Sequence, residues 1–219
     1  MKLITNERKS NGLPNPDYNR FLLNSVSNTP VDKTEEEELN KLLSEAIQKY
    51  IGYGISANQL GIDKRVCLIV NSLEEKEYLF LVNPIIIERS KEYFVFLESC
   101  LSIPKTIRKP ISTYRHERVK VKTDNLGELI FEINPEKDKE MQKNNSISLE
   151  TLQTVIVQHE IDHLDGITIQ DRNIYNINQN KAESFGRNDK ILMKSPSGEF
   201  VEVKYKKANE YFVKGYEII

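Results

Sequence analysis

The five residues His159-Glu160-Ile161-Asp162-His163 are the part of this chain best suited to chemistry. On a helix, positions i and i+4 lie one above the other on the same face. Both imidazoles can then reach one ion, while Glu160 is carried close to a water bound there. The chain has only three histidines, and two of them fall in this pattern, so an accidental pair of surface side chains is a poor explanation. A divalent ion lowers the pKa of its water toward neutrality, and a neighbouring glutamate can take the proton. The spacing therefore predicts a metal-dependent hydrolase.

Two histidines leave a catalytic ion short of its third protein ligand. A metzincin would continue the pattern to a third histidine, and although Gly166 is in place, the ligand position is Ile169, which cannot bind metal. A thermolysin-like enzyme would use a downstream carboxylate, and Glu183 lies 20 residues after His163. It sits beyond an Asn-rich run, however, and surface glutamates are common. The remaining candidate is Cys100, in Leu97-Glu98-Ser99-Cys100-Leu101-Ser102-Ile103-Pro104, directly after a predicted strand. A thiolate beside a divalent cation is deprotonated and would complete a Cys-His-His centre with one open position. Cys67, inside an apolar run, reads as a core residue. A donor set of two nitrogens and a thiolate suits zinc, iron, nickel or cobalt.

The elements that must position these groups follow from pattern. Thr34 and Glu37 have the spacing of a capping box, and Leu39, Leu42, Leu43, Ala46 and Ile47 recur at helical spacing up to about Tyr50. Short apolar runs at 66–70, 78–82, 84–87 and 93–97 read as strands, and Asp124-Asn125-Leu126-Gly127 separates two more at 119–122 and 128–133 as a hairpin. The polar stretch 134–145 reads as a loop. Ser148 can cap a second helix carrying Leu149, Leu152, Ile156 and Leu164, with Gly166 as its stop. The expected fold class is α+β, antiparallel strands around a metal-binding helix. Residues 1–33, with Pro14, Pro16 and Pro30, suit an irregular arm. The expected division is a catalytic domain over 1–175 and an extension over 176–219. In the extension, Ser195-Pro196-Ser197-Gly198 is a turn signal ahead of a β hairpin.

At 219 residues and 38% hydrophobic content, the chain can build one catalytic domain with a small appendage. Its 31 basic and 33 acidic side chains nearly cancel, so no overall field draws it to nucleic acid, and a small or peptide-like substrate is expected. Two cysteines fit a reducing compartment, and no apolar stretch has the length of a signal core or membrane span. A cytoplasmic protein with no membrane partner and no sequence-specific nucleic-acid partner is expected.

Three segments resemble the motifs of the peptide deformylase family, in the same order: Gly52-Tyr53-Gly54-Ile55-Ser56-Ala57-Asn58-Gln59 beside G-x-G-x-A-A-x-Q, Glu98-Ser99-Cys100-Leu101-Ser102 beside E-G-C-L-S, and Gln158-His159-Glu160-Ile161-Asp162-His163 beside Q-H-E-x-D-H. The third match is complete. Ser56 replaces an alanine and Ser99 a glycine, both at positions that face substrate in the family.

The resemblance implies removal of the formyl group from the initiator methionine of new polypeptides, with N-formylmethionyl peptides as substrate and the ribosome as a place of encounter. It implies Cys100, His159 and His163 as ligands of Fe2+, with Zn2+, Ni2+ or Co2+ as substitutes. Glu160 would be the general base, and the Gln59 amide and the backbone N–H of Leu101 would stabilise the oxyanion. Tyr53, Phe96, Leu152 and Ile156 would form the methionine pocket, and Ser99 would face substrate. The peptide backbone would pair with Gly54 and Ile55, a form of β-addition. Glu98 would pair with Arg115. Besides the thermolysin-like reading with Glu183, an adaptor or targeting protein with a secondary or degraded hydrolase site is a further alternative.

Overall fold

The computed structural model describes residues 2–5, 31–104, 109–144, 146–172, 188, 190–212, 214 and 216–218. Two compact units share the chain. Met1–Arg89, Cys100–Arg108 and Arg118–Thr168 make the first, and Ser90–Ser99, Lys109–Glu117 and Ile169–Ile219 the second. The architecture is α+β, with antiparallel pairing in every described sheet.

Helix α1 runs over Lys33–Tyr50. Its cap is Asp32, whose carboxylate accepts the N–H groups of Thr34 and Glu35 at 2.9 Å each, while the Glu35 side chain returns to the Asp32 N–H at 3.2 Å. The capping box thus lies two residues before the pair read from sequence, and the Thr34 hydroxyl donates to Asp32 at 2.6 Å instead of capping. A carboxylate accepts several N–H groups at once and is favoured by the positive end of the helix dipole, which decides between two pairs of equal spacing.

Strands β1 (Gly54–Ser56), β2 (Val66–Ser72) and β3 (Glu77–Val82) form a sheet in the order β1-β2-β3. Between β1 and β2 the chain makes a 3-10 turn over Ala57–Leu60. Alternate residues of β2 point opposite ways. Val66 and Leu68 join Leu39, Leu43, Ala46 and Ile47 of α1 in one core cluster. Cys67 and Ile69 join Leu152, Ile156, Val157 and Ile161 in another. A strand covered on both faces has no polar side, which is why β2 reads as a continuous apolar run. Each such side chain removed from water contributes about 1.5–3 kcal/mol.

Strand β4 (Ile85–Arg89), in the first unit, precedes β5 (Tyr93–Glu98) and β6 (Ile111–His116), which pair with each other in the second. Strands β7 (Arg118–Thr123) and β8 (Gly127–Glu132) return to the first unit as a hairpin, with Gly127 at φ 72° and β7 central in the order β4-β7-β8. Val119, Val121 and Phe131 complete the second of the two clusters.

The stretch read as a loop contains helix α2, Pro135–Met141. It buries no residue, so it carries no apolar periodicity; Asn134 caps it, accepting the Lys137 N–H at 3.1 Å, and Pro135 sits at its first position. Helix α3, Leu149–Leu164, is capped by Ser148. Asp138 of α2 reinforces that end, accepting the Ser148 N–H at 2.8 Å and the Thr151 hydroxyl at 2.7 Å. Gly166, at φ 75°, follows its far end.

In the second unit, β9 (Lys190–Lys194), β10 (Phe200–Lys204) and β11 (Glu217–Ile218) form a sheet in the order β10-β9-β11, with helix α4 over Ala208–Phe212. Ile191, Met193, Val203 and Ala208 are its core.

Candidate metal centre

All the groups in the predicted centre come from the first unit. Helix α3 packs on β1 and β2 and carries His159 and His163 on successive turns, their rings edge to face with centroids 4.7 Å apart. Cys100 brings its Sγ to 3.2 Å from His163 Nε2. The Cys100, His159 and His163 donor atoms all lie within 4.8 Å of one another, and all three residues are buried. Glu183 lies outside the described residues.

Burial raises the pKa of the Cys100 thiol, but the charge of His163 and hydrogen bonds from both histidines outweigh it and hold the thiol well below its ordinary value. The Ser102 N–H also points to this sulfur, at 3.4 Å. A buried thiolate facing two imidazoles is a donor set that a divalent cation satisfies, and the thiolate lacks any other buried cation of fixed charge among the contacts described. Cys100, His159 and His163 therefore fit a metal ion.

Glu160 is buried beside these donors. Burial pushes its pKa up to about 7; Cys100 acts in the same direction, and His159, His163 and the Ser56 hydroxyl oppose it. Its Oε2 is buried without a hydrogen-bond partner among the described residues. A buried carboxylate oxygen with nothing to accept from is costly to keep unless a water or substrate group meets it during function.

The backbone must come close for this carboxylate to sit where it does. A Cβ on Gly54 would lie 2.6 Å from Glu160 Oε1 and 2.5 Å from Ile156 Cγ2, so only glycine lets β1 approach α3. A Cβ on Gly52 would lie 2.8 Å from Leu101 Cδ1.

Gln59 stands on the 3-10 turn after β1, with its Nε2 3.0 Å from Ser102 Oγ and 3.8 Å from Cys100 Sγ. Leu101 follows Cys100 in a turn closed by the Ile103 N–H to the Cys100 carbonyl at 3.1 Å. Among the expected substrate residues of this unit, Tyr53 is 58% exposed, while Leu152 and Ile156 are in the core cluster beneath β2. Phe96 and the exposed Ser99 belong to the second unit, where Phe96 packs edge-on against Phe94.

Several positioning contacts escaped the sequence reading. Asn58 donates its side-chain amide to the His163 carbonyl. Arg65 donates to the Leu164 carbonyl at 3.3 Å and the Pro84 carbonyl at 3.0 Å, and its guanidinium meets Asp165 at 2.7 Å. Together they satisfy carbonyls at the C-terminal end of α3, where a positive charge is favoured by the helix dipole. Nothing in the spacing of Asn58 or Arg65 announces this. Ser102 had a signal, its place two residues after the cysteine. In the second unit, the expected pair of Glu98 and Arg115 is present and doubly bonded, at 2.5 and 2.8 Å, and Thr113 adds a third donor to Glu98.

The sequence profile described as polypeptide deformylase matches residues 17–181. The chain belongs to the polypeptide deformylase family. Among its relatives, the peptide deformylase of Natranaerobius thermophilus is 35% identical over 147 residues, 66% of this chain and 80% of that one. Solved structures agree. A probable peptide deformylase from Synechococcus phage S-SSM7 aligns with TM-score 0.58 and 28% identity over 78% of this chain and 99% of that one. The Acinetobacter baumannii enzyme with Met-Ala-Ser bound aligns with TM-score 0.54 and 25% identity over 78% of this chain and 98% of that one. A polypeptide deformylase is a hydrolase that takes the N-formyl group from new polypeptides, and this chain has that activity. No described helix is long and apolar enough to cross a membrane.

Proposed function

We propose that this deformylase acts on N-formylmethionyl ends of nascent chains in the cytoplasm, near the ribosome. In this reading Cys100, His159 and His163 hold Fe2+, α3 is the central element of the site, and Glu160 is the general base. The observation that carries it is the buried, unpartnered Oε2 of Glu160 beside three converging metal donors. When bound, the cation supplies Lewis-acid activation of water and of the formyl group.

Glu160 takes the proton of the attacking water at Oε2, holds it away from bulk solvent, and returns it to the leaving amine. Gln59 presents Nε2–H to the formyl oxygen as negative charge gathers there, with the backbone N–H of Leu101 as a second donor. Fixed donors of this kind are worth roughly a hundredfold in rate each. Strand β1 is an edge of its sheet, joined to β2 on one side, so Gly54 and Ile55 can pair with an extended peptide. Tyr53, Leu152 and Ile156 would meet the methionine side chain; Phe96 and Ser99 keep only the assignment that the resemblance gives them.

The test is formate release from formyl-Met-Ala-Ser by full-length protein loaded anaerobically with Fe2+, beside Glu160→Ala. Formate from the first and a loss of about 10²- to 10⁴-fold in the second is expected. Equal rates in both, with one metal bound per chain, would remove Glu160 from the mechanism.

A further inference from the structure

We infer that Ser56 is a positioning residue for Gln59: its hydroxyl and its own N–H together lock the carboxamide so that Nε2 faces the metal centre. The inference rests on the oxyanion role proposed above for Gln59.

Ser56 and Gln59 are both buried, Ser56 completely. The Ser56 N–H lies 3.0 Å from one carboxamide atom of Gln59 and the Ser56 hydroxyl lies 3.3 Å from the same atom. A backbone N–H can only donate, so that atom must be the oxygen. With both lone pairs of Oε1 occupied, Nε2 is directed to the other side, where one hydrogen goes to Ser102 Oγ at 3.0 Å. The remaining hydrogen lies on the side of Cys100 Sγ, 3.8 Å away, and is the one available to a substrate oxygen. Turning the carboxamide over would bring its NH2 against the Ser56 N–H and its oxygen toward a thiolate. Both contacts are repulsive.

An alanine at position 56 would keep the backbone donor and lose the hydroxyl, leaving one lone pair of Oε1 empty in a buried site. The carboxamide would then be held by fewer bonds and would spend more time away from the reacting oxygen. The same hydroxyl also acts on Glu160, so two acceptors compete for one proton. The assignment to Gln59 therefore has to be separated from an effect through Glu160.

A double-mutant cycle on the full-length, metal-loaded protein makes that separation. Ser56→Ala should lower kcat roughly three- to tenfold, the range for one modest hydrogen bond, with KM, metal content and Tm nearly unchanged. Ser56→Thr, which keeps the hydroxyl, should recover most of the loss. In a Gln59→Ala background the same Ser56→Ala change should have no further effect. An equal loss in that background would overturn the inference and assign the hydroxyl to Glu160. Unchanged kcat in Ser56→Ala would overturn it outright. If Gln59→Ala itself leaves kcat intact, the oxyanion role fails before Ser56 is at issue, so the two failures are distinguishable.

Discussion

Helices α1 and α3 are of similar length, 18 and 16 residues, and lie on opposite faces of the same strand, yet they bury their surfaces by different rules. In α1 the buried positions are Leu39, Leu43, Ala46 and Ile47, an apolar stripe on an otherwise charged cylinder. In α3 nearly every residue from Thr151 to Leu164 is buried, among them Thr154, Gln158, His159, Glu160, Asp162 and His163. The first helix is inside because of what it excludes from water. The second is inside in spite of what it carries, because Thr154 and Gln158 bond carbonyls of their own helix, His159 and His163 converge on the candidate metal centre, and Val155, Val157, Ile161 and Leu164 supply the packing. Both helices thus build the core, but the candidate chemistry is carried by one of them.

That division can be broken from either side. Leu43→Ala, at a fully buried position of α1, should cost about 2–5 kcal/mol, read from urea unfolding, while the folded fraction still binds metal. Glu160→Gln should do the opposite. It should lose most of its formate release yet unfold at the same or a higher urea concentration, since a buried carboxylate oxygen without a partner is replaced by a neutral group. A large loss of stability in Glu160→Gln would show that the polar interior of α3 holds the fold as well as the site.

The contact between β1 and α3 is the next test. Gly54→Ala forces a Cβ against Ile156 and Glu160, and should destabilise by about 1–3 kcal/mol through overpacking while displacing the carboxylate proposed as the general base. Activity should fall further than stability alone explains. Equal activity per folded molecule would mean that Glu160 has room to move.

The smallest expected effect is at the N-terminal end of α3. Burial works against the charge of Asp138, but hydrogen bonds from Ser148 and Thr151 outweigh it and hold its carboxyl below the ordinary value. A depressed folded-state pKa gives stability that is present above the unfolded value, about 3.9, and is lost as pH falls through the lower folded value. Asp138→Asn should therefore lower the urea midpoint at pH 7, and the gap from the parent should close as the solution is made more acid than pH ~3.9. A gap that stays constant down the acid limb would mean that Asp138 contributes by packing and not by charge.

The elements legible in the sequence were those with a simple apolar pattern or a strong local signal. Helix α1 has an apolar stripe, β2 an unbroken apolar run, and α3 a capping serine, a terminal glycine and a metal pattern of fixed spacing. Strand β6 was missed because its inward positions are not apolar: Thr113 and Arg115 are buried against the carboxylate of Glu98, so its alternation is polar on both faces. Helix α2 was missed because it buries nothing and only its cap and Pro135 signal it. The cap of α1 lies two residues earlier than its pattern suggests because two pairs at the same spacing compete, and the carboxylate of Asp32, which accepts two N–H groups at once, prevails over the hydroxyl of Thr34.

By itself the sequence determined the chemistry available. A glutamate flanked by histidines at helical spacing can do metal-assisted hydrolysis, and the motif order connects that chemistry to formyl groups. What only the tertiary structure decided is which groups far apart in the chain converge. Asn58 meets His163 because β1 and the turn after it lie against α3, an approach allowed by the missing side chain of Gly54, and the same turn brings Gln59 to Ser102 in the turn after Cys100. Hydrogen bonds act over about 3 Å and depend on direction, so no pattern of residue types can announce them before the chain has folded.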